Sequence, residues 1–288
     1  MYYYANPGEG GALTTPTSGK TKPFPTPKAT RTYDAVELQL SKRYGTWFGS
    51  ASYTFSRLYG NYAGLANSDE IRTGADGAGI YGPPQQSGGQ IFRQGGNAGR
   101  PWDIDELLWD SKGGLNPQGR LATDRPLVMK FHGSKTLAWG SSKKHSTDLG
   151  GFWYGGYGTP LTTLVNTLNG TQTFVNGRGD FGRTPFLGQF DMVVAHDVKM
   201  GETKRLHFEF NALNLFNQKT ARSVWTQLNR ARASAEIDLS ETDLAKGYDF
   251  RRMIGQTSEG SKAFSPLFGF KDWFNPGFSG RLLVKFIF

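Results

Sequence analysis

The residue types that most often carry out chemistry are sparse in this sequence. There is no cysteine, which excludes thiolate catalysis, disulfides and cysteine-based metal sites. The four histidines lie on or beside different strands of the sheet that is predicted below, and their spacing in the sequence is not that of metal ligands. We therefore interpret all four as polar residues of a lumen or a surface: His132, His145, His196 and His207.

Two short segments resemble known binding motifs only in part. Gly19-Lys20-Thr21 ends like a phosphate-binding loop, but Thr14 stands where the motif requires glycine. The four carboxylates Asp103, Asp105, Glu106 and Asp110 could surround Ca²⁺ in a loop, but the glycine of an EF-hand is lacking. No H-E-x-x-H or G-x-S-x-G motif occurs. The sequence therefore predicts no enzyme, no metal and no cofactor.

Composition points to a β-rich protein rather than a helical one. The 288 residues include 39 Gly, 21 Phe, 12 Tyr and 7 Trp, whereas only 20% are charged. No apolar run approaches the roughly 20 residues that a membrane-spanning helix needs. The 33 Lys and Arg exceed the 24 Asp and Glu, but they are scattered and form no basic stripe, so nucleic acid is not a predicted partner.

Alternation with a period of two predicts the strands. In the stretch after Trp47, one parity holds Ala51, Tyr53 and Phe55, and the other holds Ser52 and Thr54. The same alternation predicts seven antiparallel strands, at about 34–44, 46–58, 126–138, 146–156, 187–199, 204–215 and 279–288.

The connections between these strands alternate in length. Short links at 44–45, 140–144 and 200–203 alternate with long ones at 59–124, 155–186 and 216–277. Outer-membrane barrels have short periplasmic turns and long external loops, and their strands have about this length. We therefore expect an all-β fold, a partial antiparallel transmembrane barrel of seven tilted strands with long external loops and two free edges. Within the last long loop, residues 239–254 are expected to hold a short helix that Ser240 caps.

Two motifs at the end of the chain are more specific. The last strand places Leu282, Val284, Phe286 and Phe288 on one parity, and a terminal aromatic residue on such a strand resembles the β-signal by which outer-membrane barrels are recognised for insertion. An earlier strand ends in Asn214-Leu215-Phe216-Asn217 before a long loop.

At these residues the chain resembles the TonB-dependent receptors. Asn214-Leu215-Phe216-Asn217, followed by a large loop and a terminal aromatic strand, is similar to the end of such a barrel. The stretch Ala51 to Tyr62 resembles the large-loop, Oar-like subfamily, many of whose members carry an N-terminal carboxypeptidase-regulatory-like domain. Further resemblance lies in Asp124-Arg125-Pro126, Gly158-Thr159-Pro160, Asn176-Gly177-Arg178-Gly179 and Gly182-Arg183-Thr184-Pro185.

The resemblance implies the C-terminal barrel part of a receptor in the bacterial outer membrane that takes up a bulky nutrient. Residues 34–288 would be barrel and residues 1–33 the remnant of an external loop. The implied partners are outer-membrane lipid, the barrel assembly machinery and, through a plug domain not visible here, the TonB system. Because no export signal, TonB box or plug is visible, we expect Met1 to be an internal start or the edge of a truncated gene.

Alternative functions remain open at this point. The chain could be a stand-alone outer-membrane adhesin or passive porin, or a soluble β-protein that binds carbohydrate through exposed aromatic residues. Tryptophans of the long loops could contact a ligand or could instead fill a small core of the loop itself: Trp102, Trp109, Trp225 and Trp273.

Overall fold

Seven long strands form one continuous antiparallel sheet. The computed structural model describes residues 30–61, 85–87, 90–92, 110–114, 117–168 and 171–288. In chain order the long strands are β1 (Arg31–Tyr44), β2 (Trp47–Gly60), β3 (Leu127–Trp139), β4 (His145–Gly156), β5 (Leu187–Met200), β6 (Lys204–Leu213) and β7 (Ser279–Ile287). Each strand pairs with its neighbour in the sequence. The predicted all-β antiparallel fold is confirmed, with strand bounds within about three residues of those expected.

The two ends of the sheet differ in how they connect the strands. At one end, the turn end, β1 and β2, β3 and β4, and β5 and β6 are joined by a few residues each. Gly45 in the first of these turns has a φ of 56°, and Gly201 in the last has 88°, a conformation that residues with a side chain rarely adopt. The opposite end, the loop end, carries all the long connections.

The sheet is open in the described residues. β1 pairs only with β2, and β7 pairs only with β6, so each of these two strands presents an unpaired edge. No closed barrel is seen in this part of the chain. The expectation of two free edges therefore agrees with the structure.

The long connections contain short elements of their own. Short antiparallel pairs join Gln85–Ser87 with Gln90–Phe92, Leu164–Thr167 with Thr171–Phe174, and Ala221–Val224 with Lys271–Phe274. Gly119–Arg120 adds two residues beside the end of β2. A 3₁₀ turn, Ser141–Lys143, lies at the turn end, and another, Gly260–Ala263, lies in the last long connection.

Two helices occupy the segment where a single short helix was expected. Helix α1 (Glu241–Lys246) begins at a capping box in which the Ser240 side chain accepts from the Asp243 N–H. It ends at Gly247, whose φ is 89°. Asp249 then caps helix α2 (Phe250–Gln256). The Ser240 cap is confirmed, whereas the expected continuous helix is interrupted at Gly247.

The buried apolar core lies outside the sheet. It is formed by side chains of the long connections, which are Val165, Val175, Ala235, Ile237, Ile254 and Ala263. We call residues 110–114, 117–126, 157–168, 171–186 and 214–278 the loop cap. By contrast, β1 is exposed along its whole length.

Among the described residues, no helix combines the length and the apolar character that crossing a membrane would require.

Candidate functional site

One face of the sheet, the apolar face, is formed by alternate residues of all seven strands. Leu38 lies opposite Tyr53, and Phe210 lies opposite Leu282, so the same parity stays on one face across the sheet. Twelve of its large side chains are each at least 38% exposed: Val36, Leu38, Leu40, Tyr53, Phe55, Phe131, Leu149, Phe208, Phe210, Leu282, Val284 and Phe286. A contiguous exposed apolar surface of this size is typical of a site that contacts a membrane or another protein.

The opposite face, the polar face, carries hydrogen-bonded charged groups. His207 Nδ1 lies 2.8 Å from Asp197 Oδ1, and its Nε2 lies 3.3 Å from Glu209 Oε2. Arg205 Nε lies 3.6 Å from Asp197 Oδ1, and the amide of Asn211 donates to Glu209. In the described residues no three His, Asp or Glu side chains are arranged to hold a metal. On the polar face of β5 and β6, charged side chains are therefore paired with one another by hydrogen bonds.

Aromatic side chains border the apolar face at both ends. Tyr44, Trp47, Trp139 and Phe288 lie at the turn end and are 51% to 90% exposed. At the loop end lie Tyr157, Phe186, Phe216 and Phe278, 41% to 66% exposed. Tyr44, Trp47, Trp139 and Tyr157 carry an O–H or N–H group on an apolar ring, a combination that is common where an apolar medium meets water.

Two of the histidines meet on the apolar face at the turn end. His145 Nδ1 lies 3.3 Å from His196 Nε2, and Thr147 Oγ1 lies 2.9 Å from His196 Nδ1. The ring of Trp139 stacks on His145 with centroids 4.5 Å apart. His132 instead lies edge-on to Phe48 on the polar face. The interpretation of the histidines as surface residues agrees with these positions, but the pairing across β4 and β5 was not anticipated.

A buried carboxylate fastens the loop cap to the sheet. Asp124 is fully buried, and its Oδ1 accepts from the N–H of Leu58 in β2 at 2.6 Å. Its Oδ2 accepts from Arg183 and, at 3.2 Å, from Arg120. Arg183 Nη1 also donates to the carbonyls of Asp124 and Gly158, at 3.0 and 2.9 Å. We call Asp124, Arg183 and their partners the Asp124 clasp.

The neighbouring motif residues extend this clasp. Arg125 Nη1 donates to the carbonyl of Tyr157 at 2.7 Å, and Arg178 Nη2 donates to that of Asn61 at 2.9 Å. A Cβ on Gly158 would lie 1.6 Å from the carbonyl oxygen of Thr184, so this crossing needs glycine. The four short motifs quoted above thus meet at the loop end, where they hold connections together. The sequence located them without indicating that role.

Asn214 organises the end of β6. It has a φ of 50°, and its Nδ2 donates to the carbonyls of Gln218 and Pro276, at 3.0 and 2.7 Å. Its Oδ1 accepts from the N–H of Gln218 at 2.9 Å. Asn217 Oδ1 accepts from the N–H of Phe278 at 3.1 Å. The Asn-Leu-Phe-Asn motif therefore joins the two ends of the last long connection.

The loop cap has polar contacts within its own core. Asn166 and Asn229, both buried, bind each other's backbone: each side chain donates to the other's carbonyl at 2.8 Å. Burial raises the pKa of Tyr248 to about 12, partly offset by its hydrogen bond with Thr173. The cap is thus a small folded unit, which the isolated loop sequences did not reveal.

The tryptophans predicted as ligand contacts fall into two groups. Trp102 and Trp109 lie outside the described residues. Trp225 follows the short strand Ala221–Val224, and Trp273 lies in its partner strand Lys271–Phe274. The backbone N–H of Trp225 donates to the carbonyl of Phe270 at 2.9 Å. Trp273 is 41% exposed with a φ of 51°, whereas Trp225 is partly buried.

The four residues of the predicted insertion signal share one stripe of β7. Leu282 and Val284 lie opposite Phe210 and Phe208, and Phe286 lies opposite Leu206. The rings of Phe286 and Phe288 stack with centroids 6.0 Å apart.

Comparison with known proteins supports a transporter relationship. Over 219 residues, 75% of the chain, it is 30% identical to the TonB-dependent transporter Oar of Myxococcus xanthus. The chain spans only 17% of the length of that relative. No protein family model and no solved structure matches the chain.

Proposed function

We propose that this chain is part of the C-terminal barrel wall of an outer-membrane TonB-dependent receptor that imports a bulky nutrient. The similarity to a TonB-dependent transporter supports a receptor or transporter role and speaks for a protein that is not an enzyme. The Oar-like subfamily, the N-terminal domains and the nutrient belong to the proposal.

The apolar face is the observation that carries the proposal. Most of its large side chains are exposed, while the charged clusters of β5 and β6 lie on the other face. A transmembrane barrel needs this arrangement, because a charged side chain that meets lipid at mid-depth costs about 2–4 kcal/mol. A soluble carbohydrate-binding protein would need the reverse.

The spacing of the aromatic borders agrees with a membrane. In β2, Trp47 of the turn-end group and Tyr59, an aromatic residue beside the loop end, lie twelve residues apart on the same parity. At about 3.3 Å per residue and a tilt of about 40°, this corresponds to roughly 30 Å along the membrane normal. The apolar band of an outer-membrane barrel is about 25 Å tall.

The open edges of β1 and β7 support the proposal that this sheet is one part of a larger barrel. Unpaired N–H and C=O groups in lipid cost several kcal/mol each, so further strands must pair with both edges. We propose that the receptor's remaining strands do this, that its plug fills the space beside the polar face, and that the TonB system acts only through that plug.

Two sets of residues have proposed roles in this receptor. Leu282, Val284, Phe286 and Phe288 would form the insertion signal that the barrel assembly machinery recognises. Trp225 and Trp273 of the loop cap, together with Trp102 and Trp109, would contact the nutrient. A glycan and peptide array tests the second role: Trp273→Ala should weaken the strongest signal, whereas Trp139→Ala at the turn end should not.

Single-cysteine labelling in the full-length receptor tests the orientation. The chain has no cysteine of its own, so in a receptor whose other cysteines are replaced by serine, Asp238→Cys in the loop cap, Glu202→Cys in a turn and Val194→Cys on the apolar face each give one label. A water-soluble maleimide should label Asp238→Cys on intact cells and Glu202→Cys only after the outer membrane is permeabilised. It should leave Val194→Cys unlabelled.

Labelling of Glu202→Cys on intact cells, or equal labelling of all three positions, would refute the proposal. Uptake measured with and without TonB separates an energised receptor from a passive porin or an adhesin, because only the first loses uptake when TonB is deleted.

A further inference from the structure

The apolar face carries positive charge at its turn end. Lys42 in β1 and Lys135 in β3 have the same parity as the apolar side chains around them, since Lys42 lies opposite Gly49 and Lys135 lies opposite Trp47. Lys204 has this parity as well. In the described strands the only carboxylate of this parity is Asp34, opposite Arg57 near the loop end.

Lys42 and Lys135 flank a shallow depression. Gly49 lies opposite Gly133, and a Cβ on Gly49 would meet nothing within 4 Å, while one on Gly133 would meet only a backbone oxygen at 3.9 Å. Gly151 of β4 lies opposite Gly133, but a Cβ on Gly151 would lie only 3.0 Å from the ring of Phe190. The floor is therefore open between β1 and β3 and filled at β4.

The side chains around the depression suit a phosphate group with an apolar tail. Lys135 Nζ lies 4.2 Å from the centroid of the Trp47 ring, a cation–π contact that holds the ammonium at the aromatic border. The Cα atoms of Lys42 and Lys135 are separated by two strands and two residues, about 12 Å, so both side chains can reach one phosphate. Phe131 lines the loop-end side of the floor beside Ala51.

We propose that this depression binds the headgroup of an anionic phospholipid of the periplasmic leaflet, with its phosphate between Lys42 and Lys135 and an acyl chain on Gly49 and Gly133. The inference rests on the proposed membrane orientation. Simple snorkelling of two lysines toward water would need neither the open glycine floor nor the contact with Trp47. In the described strands no carboxylate lies at this end of the apolar face, so the two lysine charges are not neutralised there and attract an anionic headgroup.

Native mass spectrometry of the full-length receptor tests the site. Delipidated receptor is titrated with phosphatidylglycerol, and phosphatidylethanolamine, lipid A and inorganic phosphate serve as comparison ligands. Lys42→Gln/Lys135→Gln should weaken phosphatidylglycerol binding about thirty-fold, since each lysine near an anionic headgroup contributes about fivefold. Lys219→Gln/Lys271→Gln removes the same charge from the loop cap and should change it less than twofold.

A second variant tests the floor independently of charge. Gly49→Leu/Gly133→Leu fills open space and leaves both lysines in place, so it should weaken phosphatidylglycerol binding without loss of folding. The proposal would be overturned if phosphatidylethanolamine bound as tightly as phosphatidylglycerol, or if lipid A or free phosphate bound more tightly. It would also be overturned if the loop-cap control lost as much binding as the Lys42/Lys135 variant, or if the lysine variant or the glycine variant had no effect.

Failure of the lipid site and failure of the proposed function are distinguishable. A receptor that shows the expected cysteine labelling but no lipid preference contradicts only the lipid site. A receptor whose Val194→Cys is labelled from water contradicts the membrane orientation itself.

Discussion

The sheet and the loop cap are stabilised in opposite ways. The sheet is held by backbone pairing in a regular register, and its apolar side chains point away from the protein. The loop cap has little regular pairing, but it buries an apolar core and polar side chains such as Asp124 and Asn229. One region depends on its surroundings to cover its apolar surface, and the other covers its own.

This difference indicates which interactions matter in each region. A substitution in the sheet should act mainly through the face on which it lies, because each side chain has few protein neighbours. A substitution in the loop cap should act through the specific polar partners that it removes. The following predictions test that contrast, from the largest expected effect to the smallest.

Replacing the buried carboxylate should be the most damaging change. Asp124→Ala leaves Arg183, its main ionic partner, without a counter-charge and removes the acceptor for the Leu58 N–H. Breaking a buried ion pair costs about 3–5 kcal/mol. We expect residues 157–186 to lose amide-exchange protection while β4 to β6 keep theirs. The exposed Asp238→Ala is the control, and equal deprotection in both variants would contradict the clasp.

Lysine at two adjacent valines of β5 compares the faces directly. Val194 pairs with Phe210 on the apolar face, and Val193 pairs with Asn211 on the polar face. Val194→Lys should lower the stability of the inserted barrel by about 2–4 kcal/mol, and Val193→Lys by much less. Urea unfolding in lipid vesicles measures both. Similar losses would mean that the face assignment is wrong.

Removing the Asn214 side chain should have an intermediate effect. Asn214→Ala loses three hydrogen bonds and places alanine at a φ of 50°, for a total of about 2–3 kcal/mol. Asn214→Gly keeps the backbone relaxed and loses only the bonds, so it should be less harmful. Limited proteolysis between residues 214 and 278 measures the effect. If Asn214→Gly were cleaved as fast as Asn214→Ala, the whole effect would come from the lost side-chain hydrogen bonds and none from the backbone conformation.

Acid should weaken helix α1 slightly. Hydrogen bonds from Ser240 hold the pKa of Asp243 below its usual value, so its contribution is present above the unfolded pKa of about 4 and is lost as the pH falls through the lower folded pKa. We expect exchange protection of α1 to fall below about pH 4, by less than about 1 kcal/mol because the group is near the surface. Asp243→Asn should remove this pH dependence, and its persistence in that variant would assign it to another group.

Much of the sheet could be predicted from the sequence because its physics is local. A period of two places Val36, Leu38 and Leu40 on one face whatever the strand pairs with, and Gly45 permits the turn that follows β1. Short links favour pairing between strands that are neighbours in the sequence, and each long strand does pair with its sequence neighbour. The sequence did not indicate Lys42 and Lys135 because the face of each strand was assigned from its apolar residues alone.

The loop cap could not be predicted in this way because its contacts join residues far apart in the sequence. Leu58, Asp124 and Arg183 lie in three different connections or strands, and no periodicity links them. The capping box at Ser240 was predictable because its two residues are three positions apart, whereas the interruption at Gly247 was not.

By itself the sequence determined the seven strands, their order and which of their side chains share a face, since alternation and short turns act over a few residues. Only the tertiary structure decided that four scattered motifs meet at the loop end, that the long connections bury a core of their own, and that Lys42 and Lys135 flank one open floor. Such contacts depend on chain closure over sixty or more residues, and no local pattern of residues encodes them.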